Sequence, residues 1–166
     1  MEYWDIYDRN RNKTGKIIKR GERMLDGEFH LIVHIWIKNS NNEFLIQQRS
    51  EKVKNPLVWS TTGGSAVAGE DSFTAALREV KEELGIDLTN EKGYLFDVDI
   101  YEEDNQQYIS DTYLYFIDLD VNALTLQTEE VKQVKFEKMS VIKKMMEEGN
   151  FFIYEYLDKL EKAKLE

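Results

Sequence analysis

The chain has 166 residues, of which 42% are hydrophobic and 12% aromatic, enough for one folded domain with a real core. It carries 32 acidic against 22 basic residues, a net charge of -10, which argues against a general nucleic-acid or anionic-membrane binder. There is no cysteine, so disulfides, thiolate metal sites and a thiol nucleophile are excluded. The first residues, MEYWDIYDRNRNK, lack the apolar stretch of a signal peptide, and no apolar run approaches ~18 residues. The simplest expected location is the cytoplasm.

Residues 2–7 and 16–20 read as two strands joined by the polar DRNRNKTG, an N-terminal β-hairpin serving as a sheet edge or a homodimer contact. Residues 21–29 are a loop or short helical turn. HLIVHIWIK, 30–38, is an apolar, β-branched central strand. NSNN turns the chain into EFLIQQRS, 43–50, the returning strand. His30 and His34 share one face by period 2, and a structural role is expected because zinc needs three or four such ligands. Arg49 ends its strand near the expected cleft, where it contacts an anionic substrate or pairs with a carboxylate. In the loop 51–58, Lys52 and Lys54 are phosphate or ribose contacts or merely solvated. Trp59 belongs to the core, and WSTTGG forms a short strand and a glycine turn in which Gly63 and Gly64 let the backbone pass close to a metal or phosphate.

The stretch 64–86, GSAVAGEDSFTAALREVKEELGI, organises the rest. Asp71 or Ser72 caps a helix and Gly85 ends it. Phe73, Ala76, Leu77, Val80 and Leu84 form its buried stripe. Glu79, Glu82 and Glu83, three and four residues apart, cluster on the flank, where like charges repel by a few tenths of a kcal/mol per pair on an exposed helix. A hard cation, Mg²⁺ or Mn²⁺, relieves that repulsion with oxygen ligands.

Beyond the helix, 94–101 is a strand, 102–107 a turn and 108–120 another strand. The acidic QTEEV, 127–131, precedes a short strand in VKFEKM. SVIKKMMEEG, 140–149, reads as a helix capped by Ser140, and apolar residues at 153, 156, 157 and 160 suggest a final amphipathic helix.

The pattern G-x5-E-x7-R-E-V-x-E-E-x-G-I, made by Gly64, Glu70, Arg78, Glu79, Val80, Glu82, Glu83, Gly85 and Ile86, resembles the Nudix box at every defined position. A chance match at a given start is on the order of one in a billion. The resemblance implies one Nudix domain over 1–166 (box 64–86), an α/β/α sandwich with a mixed sheet. The hairpin, FHLIVHIWI, FLIQQRS and the tryptophan stretch look like the isopentenyl-diphosphate isomerase-like branch. The isomerases, however, carry a cysteine and a metal-binding histidine where this chain aligns Gly63 and Ser65. Their box is degenerate, whereas this one is intact.

What the resemblance implies is metal-dependent hydrolysis of a diphosphate bond in a nucleoside diphosphate linked to another group, the partner being a small diphosphate. The alternatives are isomerase-like activity or a non-catalytic, nucleotide-sensing domain. Glu79, Glu82 and Glu83 would ligate Mg²⁺ or Mn²⁺. Glu70 completes the metal shell or orients Glu79. Arg78 pairs with a box carboxylate, Gly64 contributes its backbone, and Arg49 contacts the substrate. The general base is Glu79 or a loop glutamate, Glu129 or Glu130.

Overall fold

A computed structural model of the protein describes residues 1–103 and 105–165. Seven strands form one mixed sheet whose path is β5-β4-β3-β8-β7: β3 (His30–Lys38), β4 (Glu43–Arg49), β5 (Trp59–Ser60), β7 (Gly93–Glu103) and β8 (Gln106–Phe116). Off that path, β6 (Thr62–Ser65) pairs with β3, and β9 (Val131–Lys138) pairs with β4. Helix α1 (Ser72–Leu84) covers one face; α2 (Met139–Glu147) and α3 (Leu157–Lys162) cover the other. The α/β sandwich with a mixed sheet is therefore as expected.

β3 is central because both its faces are buried. Leu31, Val33, Ile35 and Ile37 pack towards α1, while Trp36 joins Phe44, Ile46, Met139 and Ile142 under α2. Such two-sided burial suits a near-continuous apolar strand paired in parallel. Its partner is β8, in register from His30↔Tyr108 to Lys38↔Phe116. The expected return strand pairs with β3 only at its start, Lys38↔Phe44. Beyond that point β3 and β4 diverge. β5 stays on β4 through Gln47↔Ser60, and β6 crosses to β3 through Val33↔Gly64 and His34↔Gly63. This divergence opens the sheet beside the box. Gly63 and Gly64 thus lie in a strand, not in a turn.

The hairpin β1 (Tyr3–Tyr7) and β2 (Lys13–Lys19) is a separate two-stranded sheet, not an edge of the main one. Trp4, Ile6 and Ile18 give it a small core of its own. Tyr7 and Phe29 exchange backbone hydrogen bonds, Ala68 N–H donates to Tyr3 O at 2.8 Å, and Gly69 N–H donates to Asp5 Oδ2 at 2.8 Å. Arg11 reaches from the hairpin turn to the buried Asp111 on β8 at 2.6 Å. The hairpin therefore clamps the loop that leads into α1.

Several expected boundaries shift. The 94–101 and 108–120 strands are β7 and β8, which extend towards each other so that the turn shortens; Asp104 within it lies outside the described residues. β8 ends at Phe116, and a 3₁₀ turn, Val121–Ala123, follows the loop after it. Ser140 sits inside α2, which starts at Met139 without a side-chain cap, and Gly149 in the left-handed region follows its end. The final amphipathic helix shrinks to α3. Phe151 bridges to Trp59 instead, and Ile153 is 80% exposed, so residues 151–156 run as an irregular cover over the sheet. Of the four residues at helical spacing, only Leu157 and Leu160 are buried within α3, while Tyr156 packs on Trp36 from just ahead of the helix.

Candidate active site

α1 begins where Asp71 accepts a hydrogen bond from Thr74 N–H at 2.7 Å, and it ends at Gly85 in the left-handed conformation. Ala75, Ala76, Val80 and Leu84 are fully buried against β3 and Ala66. Truncating a buried leucine such as Leu84 to alanine costs roughly 2–5 kcal/mol. Phe73, expected in that stripe, is 49% exposed, with its ring near that of Tyr113 at the edge. Ala75 takes its place in the core.

Docking that stripe turns the acidic flank towards β6 and the opening in the sheet. Gly64 lies directly beneath Glu79: a Cβ at position 64 would meet Glu79 Oε1 at 2.4 Å. Arg78 is the hub of the charged cluster. It binds both oxygens of Glu70 (2.6 and 3.0 Å), Glu79 Oε1 (3.0 Å), Glu82 Oε2 (3.2 Å) and the carbonyl of Ser65 (3.1 Å). Glu70 also accepts from Val67 N–H at 3.0 Å. Burial works to raise the Glu70 pKa, but these hydrogen bonds bring it below its usual value. The Arg78 guanidinium is held more firmly protonated than usual, chiefly by Glu70.

Glu79 and Glu83 are less fully compensated than Glu70. Burial pushes Glu79 up to about 7, only partly offset by Arg78. Burial pushes Glu83 up to about 8, against one hydrogen bond from Gln47 and with Glu79 and Glu130 adding repulsion. Glu82, by contrast, is half-exposed at the rim. Among the described residues no three His, Asp or Glu side chains enclose a ready-made ion site. Arg78 occupies the centre of the expected glutamate cluster.

Beside this flank the gap between β3 and β4 forms a cavity of about 180 Å³, lined among others by His34, Gln47, Arg49, Gly64, Phe152 and Tyr154. Arg49 stands on its wall. Its Nε donates to Lys54 O at 2.9 Å, and its guanidinium lies over the Phe152 ring at 5.2 Å. His34 packs edge-on to Tyr154 with Nδ1 3.5 Å from Tyr156 Oη, whereas His30 stacks on Trp4 at 4.0 Å. The two rings share a face but not a point. Burial holds both near a pKa of about 4, so both are neutral. Of the two loop glutamates, Glu129 pairs with Lys52 at 2.8 Å, while Glu130 is close enough to Glu83 to raise its pKa. Lys52 is thus an ion-pair partner, and Lys54 lies in a separate depression with Trp4 and His30. Trp59 is half-buried with Lys135 over its ring at 4.9 Å. A larger depression, about 800 Å³, lies against β7 and α3 and contains none of the box residues.

Sequence reasoning missed the buried Gln47, which bonds Glu83, and the buried Thr62, which bonds Gln47. The available signal was a glutamine pair ending an otherwise apolar strand, since alternation must send one of the two inward.

A carboxylate-bearing helix laid across a mixed sheet, with glycine beneath its key glutamate, defines the class. The NUDIX domain family model matches residues 28–159, and the chain belongs to the Nudix family. It is 39% identical over 167 residues to an uncharacterized Nudix hydrolase of Listeria innocua, covering 96% of this chain and 94% of that one. An isopentenyl-diphosphate Delta-isomerase of Pectobacterium atrosepticum matches at 36% identity, but over only 49% of this chain and 46% of its own length. Among solved structures, DR0079 from Deinococcus radiodurans superposes with a TM-score of 0.76 at 17% identity, covering 97% of this chain and 98% of that one. The chain is a Nudix hydrolase by family, and the isomerase likeness is partial. Among the described residues no helix is long and apolar enough to cross a membrane.

Proposed function

We propose that the protein is a metal-dependent hydrolase of a diphosphate bond in a nucleoside diphosphate linked to another group. The observation that carries this is the pair of buried carboxylates, Glu79 and Glu83, held on one helix face beside an open cavity. Glu79 shares Arg78 with Glu70 and Glu82, and Glu83 has no ion-pair partner among the described residues, so ionising both carboxylates in that buried setting is costly. The hard-oxygen donor set fits Mg²⁺ or Mn²⁺, which bind through a few carboxylates and keep positions for water and phosphate oxygens. An open arrangement of Glu79, Glu83 and the rim residue Glu82 suits that preference better than a closed cage would.

A divalent cation bound there offsets the negative charge of a diphosphate and acidifies water. The chain's own residues do the rest. Gly64 leaves room for Glu79. Arg78 holds Glu70, Glu79 and Glu82 in fixed relation, and Glu70, saturated by Arg78 and Val67 N–H, orients the loop. Arg49, at the cavity wall, meets an anionic part of the substrate. Glu130 is the general base, since it lies near enough to Glu83 to repel its charge while Glu129 is engaged with Lys52. The absence of cysteine, with Gly63 and Ser65 at the aligned positions, weighs against isomerase chemistry.

The test is a panel of nucleoside di- and triphosphates and nucleotide conjugates with Mg²⁺ or Mn²⁺, scoring phosphate, pyrophosphate and monophosphate release separately. Turnover is expected in wild type and lost, by at least ~100-fold, in folded Glu82→Gln and Glu83→Gln variants. Unchanged turnover in both variants overturns the reading.

A further inference from the structure

Among the described residues, Gln47 is the only side chain outside the box that hydrogen-bonds a box carboxylate. It lies on β4 between β5 and β9, paired with Ser60 and Val134, and is 5% exposed. Its Nε2 donates to Glu83 Oε2 at 2.8 Å. Its Oε1 accepts from Thr62 Oγ1 at 2.8 Å. Thr62 is itself buried on β6, opposite Ile35. The relay Thr62–Gln47–Glu83 therefore ties two strands of the split sheet to the helix that carries the glutamates.

The direction of these bonds has a chemical consequence. A glutamine amide offers a donor at one end and an acceptor at the other. With Thr62 donating to Oε1, the NH₂ group faces Glu83. Reversed, the amide would aim carbonyl lone pairs at a carboxylate. The relay thus selects one rotamer of Glu83 and engages Oε2 alone, since no donor reaches Oε1 among the described residues.

We propose that Gln47, oriented by Thr62, is a positioning residue that fixes the Glu83 carboxylate so that Oε1 is presented to a divalent cation. This rests on Glu83 being a metal ligand. Hydrogen-bond partners of metal ligands set ligand orientation, and their loss typically weakens metal binding 10–100-fold.

The experiment is a Mn²⁺ titration of the full chain without nucleotide, following free Mn²⁺ by electron paramagnetic resonance, for wild type, Gln47→Leu, Thr62→Val, Thr62→Ser and Glu83→Gln. Gln47→Leu is expected to bind Mn²⁺ roughly 10–100-fold more weakly. Thr62→Val should show a smaller loss, and Thr62→Ser, which keeps the hydroxyl, should match wild type. In turnover assays the Gln47→Leu defect should shrink as Mn²⁺ is raised. Thr62→Val preserves side-chain shape and supplies the answer if Gln47→Leu fails to fold. Wild-type Mn²⁺ affinity in Thr62→Val and in any folded Gln47→Leu, with only melting temperature lowered, overturns the relay as a positioning device. If Glu83→Gln loses affinity in that same experiment, the metal reading of the box survives. If Glu83→Gln also binds Mn²⁺ as wild type does, both fall.

Discussion

Gly64 and Glu79 are in direct apposition: a methyl group added at Gly64 would stand 2.4 Å from Glu79 Oε1. The colliding atoms are the far end of a flexible side chain, so the chain can relieve the clash by moving Glu79. The cost should fall on function rather than folding. Gly64→Ala is expected to leave the melting temperature within a few degrees of wild type while reducing metal-dependent turnover by at least ~10-fold, measured by kinetics and thermal melting side by side. Gly63→Ala is the contrast. Its Cβ would meet the backbone oxygen of Val33 at 2.3 Å, which cannot swing away. It should destabilise by roughly 1–3 kcal/mol in urea titration.

The loop glutamates separate by partner. Glu129 is 67% exposed at its side chain and bound to Lys52. Glu130 sits near Glu83. Replacing Glu130 with Gln is expected to lower kcat by roughly 10²–10⁴-fold with KM little changed, as for loss of a general base. Glu129→Gln should stay within about twofold. Equal effects from the two would remove Glu130 from the base role.

Arg11 and Asp111 form a partly buried ion pair that pins the hairpin to the sheet. Asp111 is 4% exposed at its side chain, Arg11 41%. Arg11→Ala leaves a buried carboxylate unpaired, a loss of about 2–4 kcal/mol, reduced from the fully buried case by the exposure of Arg11. Adding Asp111→Asn should recover part of it, because the stranded charge is then gone. Urea unfolding of the two variants measures both steps.

His34 links stability to pH. Burial holds its folded pKa near 4 against an ordinary value of about 6.5. Its stabilising neutrality is complete above pH 6.5. As pH falls from 6.5 towards 4 the unfolded chain takes a proton that the folded chain refuses, so stability is lost by up to ~3 kcal/mol. Glu79 and Glu83, raised by burial, act with the opposite sign, gaining stability as pH falls from about 8. The informative quantity is therefore the difference between wild type and His34→Gln. That difference should shift against wild type between pH 6.5 and 5, read from melting curves across that window. A pH-independent difference would show that His34 titrates normally.

Much of this protein was legible from local pattern. Asp71, Gly85 and the 3.6-residue recurrence of Ala76, Val80 and Leu84 suffice to define α1, because capping and one-sided burial act within a few residues. The spacing from Gly64 to Ile86 was enough to point to the family. The apolar, β-branched run placed β3 to the residue. Two of the departures share a cause: apolar spacing does not report what an apolar residue packs against. Ile153 is exposed on irregular chain although it falls at helical spacing, and Phe73 is half-exposed although it falls on the stripe.

What the sequence determined by itself was the chemistry available on one helix: the glutamates, the arginine among them and the glycine ahead of them. What only tertiary structure decided was which of those charges are buried and what reaches them. β3 and β4 part after a single register pair, so Gln47 meets Glu83 across 36 residues of chain and Thr62 meets Gln47 across 15, and Glu130 lies near Glu83 while Glu129 is paired with Lys52. Those separations exceed the reach of any local propensity, because they follow from how a split sheet closes around a helix.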